Sequence, residues 1–372
     1  MKRSLSFVVL CLILSMAIVG CKKENSDNPY ANAKIEIAKS EIVYNTELYN
    51  RIGYTIKTWE YEKDHLKLDK IEAIDKSSNK VLFEIKASDL GRVYKEPIKP
   101  NEFLQWDKLD SYYMSVQVPV PISETVPETI VNRLYFTDTT NNESVSFEGA
   151  EFNPRTDIKP LVINPPLKGN NLFFANQSTS EYHFDVLIFL DGSMYTPERF
   201  AFDEIEFAPD WNDIYSGNPD TNESYFNYGD TLYAIANGEI IDKIDGRTEN
   251  HGSQADVVFN SDNEYAGNYL VIKLAEKQYA FYCHIIPGSF MVEKGENVEV
   301  GQPLALLGNS GNSSSPHLHF HIADGKDFWK SNGIPFVFNN YTKTGDLTTG
   351  PSSPLEVQNA MMEQFSVVNI DF

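Results

Sequence analysis

Pro316-His317-Leu318-His319-Phe320-His321-Ile322 places three histidines on alternate residues. Alternate side chains of an extended strand share one face. The spacing therefore sets the imidazoles on one side and Leu318, Phe320 and Ile322 on the other, toward a core. Neutral imidazoles so spaced can converge on one metal ion or one substrate. The plainer reading is a polar outer face rich in histidine. Of the chain's seven histidines only His65 precedes residue 180, so the second half carries the candidate chemistry.

Around this stretch the sequence reads as β structure. Tyr269 to Leu274, Gln278 to Ile286 and Pro303 to Leu307 are short apolar runs, and few segments have helical periodicity. Tyr182 to Leu190 is another apolar run and is expected to be a strand. Toward the N-terminus, Lys34-Ile35-Glu36-Ile37, Val81 to Ile85, Tyr113 to Val118 and Arg133 to Phe136 alternate between turn clusters such as Ser77-Ser78-Asn79 and Asn141-Asn142-Glu143. Such a pattern predicts an immunoglobulin-like β-sandwich over 34–153. Pro154, Pro160, Pro165 and Pro166 mark 154–168 as a linker. The fold class expected is all-β, with the sandwich folding separately from a C-terminal antiparallel β domain at 169–346. Residues 347–372 are then a C-terminal extension.

The N-terminus reads as an address. Lys2 and Arg3 precede an apolar run from Leu5 to Val19, a secretory signal layout too short to favour a membrane span. Ile18-Val19-Gly20-Cys21 resembles a bacterial lipobox, which implies a signal peptide at 1–20 and a lipid on Cys21. Residues 21–33 are polar and carry Asn28-Pro29, as a flexible tether would. The expected location is the cell envelope, anchored to a membrane by that lipid and facing the periplasm or cell surface. Cys11 leaves with the signal and Cys283 stands alone in an apolar run, as a buried small hydrophobe does. The formal net charge of −22 repels phosphate backbones, so no nucleic-acid partner is expected.

Gly301-Gln302-Pro303-Leu304-Ala305, Gly308-Asn309-Ser310-Gly311-Asn312-Ser313 and Pro316-His317-Leu318-His319-Phe320 together resemble the signature of the lysostaphin/LytM-type zinc peptidases. Tyr228 to Gly238, Gly267-Asn268-Tyr269 and Tyr282-Cys283-His284 are similar to further blocks of that family. The core resemblance spans 228–324. It implies a compact antiparallel β fold with a groove, and hydrolysis of peptide cross-links in peptidoglycan or of a similar extracytoplasmic peptide. It also implies one zinc ion held by a His, an Asp and His319, with His284 and His317 catalytic. Zinc with three protein ligands keeps a position for water and lowers its pKa to about 7.

The family's His-x-x-x-Asp element corresponds to Arg199-Phe200-Ala201-Phe202-Asp203. Asp203 fits the carboxylate ligand, but Arg199 is a permanent cation that cannot ligate a metal. Two replacements are open. His183 is the first, if the run from His183 to Ile188 is a strand beside 199–203. His321 is the second, although it shares a crowded face with His317 and His319. If neither serves, Arg199 can pair with Asp203 and take over the metal's electrostatic role. The domain is then a catalytically inactive module that binds wall peptides or regulates another hydrolase; an adhesion protein reusing the fold is a further alternative.

Overall fold

The Ile130–Asp138 strand alternates without a break, with Ile130, Asn132, Leu134, Phe136 and Asp138 buried and the residues between them less so. This is how a sheet with one face on a core reads. The computed structural model describes residues 30, 32–94 and 107–371. The signal segment and Cys21 lie outside the described residues.

Ile130–Asp138 belongs to a four-stranded antiparallel sheet with Leu66–Asp75, Lys80–Lys86 and Ser144–Phe152. A five-stranded sheet is built on Tyr49–Thr58 and Tyr112–Pro121. The two sheets meet through Tyr54, whose hydroxyl donates to Asn132 Oδ1 at 2.7 Å and whose ring lies 4.7 Å from that of Phe152. Tyr54 is fully buried, so this bond satisfies a hydroxyl that would otherwise be costly to enclose.

The second half is dominated by one eleven-stranded sheet. Its order is Leu161–Ile163, Phe336–Asp346, Ser366–Ile370, Gly169–Ala175, Phe202–Glu206, Leu318–Ala323, Gln278–Cys283, Tyr269–Ala275, Gly238–Ile244 and Asn297–Val298, with Gly350–Ala360 also paired to Phe336–Asp346. All pairs are antiparallel except Leu161–Ile163 on Phe336–Asp346. The stretch read as a linker thus contributes a strand, and the stretch read as an extension contributes two. Ala33 to Phe372 forms a single compact unit rather than two.

Every residue of Leu318–Ala323 is buried, because the strand lies between two neighbours and both of its faces are covered. Leu318, Phe320 and Ile322 enter the main core, where Phe320 stacks on Phe202 at 5.2 Å between centroids. His319 and His321 take the opposite face, as the alternation requires. That face is not a solvated surface: His321 has no exposure at all.

Candidate metal centre

Asp203 lies directly across from His319 on the neighbouring strand. Opposed residues of an antiparallel pair hold their side chains close together, and here Nδ1 of His319 is 2.9 Å from Oδ1 of Asp203. On the other flank of the same strand, Cys283 faces His319. His284 follows Cys283 just past the strand end, with φ of 66°, in the left-handed region rarely taken by non-glycine residues.

The third arm comes from outside the sheet. His183 sits on a single helical turn, Glu181–Phe184, and its Nε2 is 3.5 Å from Oδ2 of Asp203. Its ring stands edge-on to that of His319, 5.0 Å away. The expected strand from Tyr182 to Leu190 is therefore a helical turn followed by a shorter strand, Ile188–Leu190, paired with Ser193–Tyr195. His183 stands beside Asp203 and His319, on a helical turn rather than on the expected strand. His183, Asp203 and His319 present donor atoms all within 4.8 Å of one another. Two imidazole nitrogens and a carboxylate suit a borderline divalent cation with tetrahedral preference. The separations suit it too, since tetrahedral donors at about 2.1 Å from an ion stand roughly 3.4 Å apart.

His321 does not join this cluster as a ligand. Its Nδ1 is 3.2 Å from Nε2 of His319, and its ring stacks on Phe281 at 4.5 Å. It is placed to fix the orientation of His319, as partners behind metal-binding imidazoles do. Arg199 does not reach Asp203. The alternative in which the two pair is not seen: the strand begins only at Phe202, and Arg199 Nη1 donates instead to Glu41 Oε1 at 3.0 Å. The arginine–aspartate pair that would stand in for a metal is absent.

The sequence block leading into the histidine strand proves to be a hydrogen-bonded scaffold. His284 Nδ1 donates to the Ser310 carbonyl at 2.7 Å, and His317 Nδ1 donates to the Ser315 carbonyl at 2.8 Å. A carbonyl only accepts, so both rings carry the proton on Nδ1 and keep Nε2 as the acceptor. The two rings stand 4.6 Å apart. Asn250 Nδ2 reaches the carbonyls of Asn309, Gly311 and Ser313, locking the loop. Gly267 and Gly311, both at positive φ, allow the chains to cross so closely that a Cβ on either would lie within 2.4 Å of the other segment's backbone.

His183, Asp203, His284, His317 and His319 line a groove of about 260 Å³, with Asn176, Tyr182, Tyr265, Ser313 and Phe328 among its walls. Among the described residues of 34–153, none lines it. Asn176 donates to Oδ2 of Asp203 at 2.8 Å. Nothing in the sequence pointed to Asn176, since a lone asparagine beyond a strand carries no spacing signal.

Charge is sharply divided inside the groove. Burial alone would raise the Asp203 carboxyl, but His183, His317 and the hydrogen-bonded His319 overcome it and hold the group well below the usual carboxylate range. Burial pushes His284 well below its ordinary value, reinforced by His317 and His319. Burial lowers His317 as well. For His319 burial is outweighed by the Asp203 bond, so its value rises. Burial, then the neighbouring histidines, drives His321 well down. The site thus holds one firm anion, with His284, His317 and His321 pushed toward the neutral form and His319 toward the protonated one.

The His/Asp/His cluster, two members on adjacent strands and one on a helical turn, is a donor set that suits a divalent metal, with His284 and His317 beside it. Residues 225–330 match the model of Peptidase family M23. The matched stretch holds His284, His317 and His319 but neither Asp203 nor His183; the fold supplies those. The chain is 38% identical over 66 residues to the peptidoglycan DD-endopeptidase ShyA of Vibrio cholerae, covering 18% of this chain and 15% of that protein. It is 43% identical over 58 residues to ShyB of the same organism, covering 16% and 13%. The chain therefore spans less than a sixth of the length of either relative. Among solved structures, the catalytic domain of lysostaphin from Staphylococcus simulans is 20% identical, with 33% of this chain and 86% of that one covered and a TM-score of 0.21.

Proposed function

We propose that this chain is a zinc-dependent endopeptidase of the cell envelope that hydrolyses peptidoglycan cross-links or similar peptide bonds. The observation that carries the reading is the meeting of His183 with Asp203 and His319, which completes a three-donor set although Arg199 stands at the usual ligand position. The names of its peptidoglycan-cleaving relatives support the substrate class. Zinc in such a site supplies Lewis acidity and brings a water's pKa to about 7.

The chain's own groups do the rest. Asp203, held ionised, contributes the negative charge that favours a cation over a proton. His319 must present Nδ1 unprotonated to a metal, which requires its Nε2–H to donate to His321. Burial keeps His321 neutral and so able to accept. His284 and His317 keep Nε2 unprotonated at neutral pH, and can take a proton from a water or hold one against the oxyanion of a cleaved peptide. Their Nδ1 bonds to fixed carbonyls prevent the rings from flipping.

The same reading places the protein outside the cytoplasm, tethered through lipid on Cys21. Among the described residues no helix is long and apolar enough to cross a membrane. Changing Cys21→Ser should move the protein from the membrane to the soluble fraction; retention with an uncleaved signal would instead favour a signal anchor.

The deciding experiment measures zinc in the purified chain by mass spectrometry and follows purified sacculi for new amino termini. The expected result is one zinc per chain, with cleavage lost on chelation and zinc lost in His183→Ala. Sacculus binding without zinc or cleavage would leave the inactive-module reading standing. Unchanged zinc content in His183→Ala would remove His183 from the ligand set.

A further inference from the structure

Arg199 is among the largest side chains in the molecule with no exposure. Besides Glu41, its guanidinium donates from Nη2 to Thr55 Oγ1 at 2.8 Å and to Ser115 Oγ at 3.1 Å. All three acceptors belong to the N-terminal sandwich. Its Cζ lies 4.7 Å from the centre of the Phe184 ring. Phe184 is the residue next to His183, is 3% exposed, and covers Gly53 so closely that a Cβ there would fall 2.8 Å from its Cζ.

The other side of His183 is fastened to the same body. The Tyr182 ring lies 5.5 Å from the Arg92 guanidinium. Upstream, the Ser178 carbonyl accepts from Gln117 Nε2 at 2.5 Å and from the Tyr44 hydroxyl at 3.2 Å. A four-residue turn has no stability of its own. The place of His183 is therefore set by contacts with Glu41, Gly53, Thr55, Arg92, Ser115 and Gln117, although none of these side chains lines the groove.

We propose that Arg199 and Phe184 are positioning residues for His183, and that the N-terminal sandwich is thereby a working part of the metal centre. This rests on reading His183 as a zinc ligand. Arg199 occupies the sequence position of a ligand and instead clamps the segment that brings in the substitute. Zinc retention is then coupled to docking of the sandwich, and a change made only on the sandwich reaches the metal.

The test uses the full chain and reads zinc affinity by competition with a chromophoric chelator, alongside melting temperatures with and without zinc. Gly53→Ala removes no hydrogen bond but displaces Phe184. Phe184→Leu leaves a gap in its place, and Arg199→Met removes the clamp while filling much of its volume. Each should weaken zinc binding about 10- to 100-fold, the range seen when supports of metal ligands are removed. Each should add little to the loss caused by His183→Ala, because they act through that residue. A merely structural role lowers the zinc-free melting temperature and leaves affinity unchanged. Folded Gly53→Ala and Phe184→Leu proteins with wild-type affinity would overturn the proposal, as would losses that add fully to that of His183→Ala. If Arg199→Met fails to fold, the other two variants decide. A wild-type chain that binds no zinc sinks the functional reading itself, whereas zinc lost in His183→Ala but kept in Gly53→Ala sinks only the coupling.

Discussion

The groove has two walls made in different ways. Asp203, His319 and His321 stand on adjacent strands of the large sheet, where register alone brings them together. His183 and Asn176 stand on a loop and a single helical turn whose fastenings run to another part of the chain. The strand wall is held by backbone ladders and a stacked aromatic core; the loop wall is held by one buried cation and a few ring contacts. Site geometry built on sheet register survives local change, while geometry built on a docked loop depends on distant packing.

The largest effect tests the strand wall. Asp203→Ala and His319→Ala should each abolish stoichiometric zinc and reduce sacculus hydrolysis by about 10³-fold or more, with the double variant no worse than either single one, since groups acting as a unit are not additive. Melting curves of the zinc-free variants should still show cooperative unfolding, because neither side chain enters the aromatic core. A single variant that keeps zinc would break the idea that register alone defines the centre.

His321→Ala comes next. It leaves all three donors in place and removes only the partner of His319 Nε2. Zinc affinity should fall about 10- to 100-fold, and His321→Gln, which restores an acceptor, should recover part of it. Equal loss in both variants would mean that His321 acts through packing on Phe281 rather than through its nitrogen.

Asn176→Ala probes the point where the loop wall touches the strand wall. It removes a neutral donor to an ionised carboxylate, an interaction worth about 1.5–3 kcal/mol. Affinity for zinc should change by about 10-fold or less, since the ion itself then satisfies Asp203. An effect as large as that of His183→Ala would show that the loop is anchored from the groove side, contrary to the contacts seen.

The strand wall was legible in the sequence and the loop wall was only half so. Alternation in 316–322 gives the shared face directly, and Asp203 was named from the resemblance of 199–203 to the family's His-x-x-x-Asp element. His183 could be named because it was the nearest unassigned upstream imidazole, but its helical turn was hidden in an apolar run that reads as a strand. The hold of Glu41, Thr55 and Ser115 on Arg199 joins residues 84 to 158 positions apart, and no local pattern encodes such pairing. The strands at Gly350–Ala360 and Ser366–Ile370 were missed for a related reason. The first is mostly exposed and carries little apolar signal, and the second pairs with Gly169–Ala175 far upstream.

The strand wall also carries a cost of its own, which gives the smallest prediction. Behind Asp203, burial pushes Asp230 up to about 6, and burial together with Asp230 raises Glu206 to about 7. Glu204 is fully buried, and burial, then Asp230, drives it well above the carboxylate range. A carboxyl raised in the fold binds more protons there than in the unfolded chain between the two pKa values. Its stabilising share is complete below the unfolded value near 4 and is lost as pH rises through the folded value. In zinc-free protein these carboxyls should therefore contribute a loss of stability as pH rises from about 5 to 8, opposed at its acid end by His284, His317 and His321, whose lowered values favour the fold as pH rises. Asp230→Asn should remove part of that slope, leaving stability near pH 4 almost unchanged and raising it at pH 8. Asp230 is only partly enclosed, so its contribution is discounted to about 1 kcal/mol, or roughly 2 °C in melting temperature. Melting temperatures of wild type and variant at pH 5 and pH 8 measure the difference of slopes. Parallel slopes would mean that these carboxyls are solvated in solution, and that the strand wall carries no electrostatic strain.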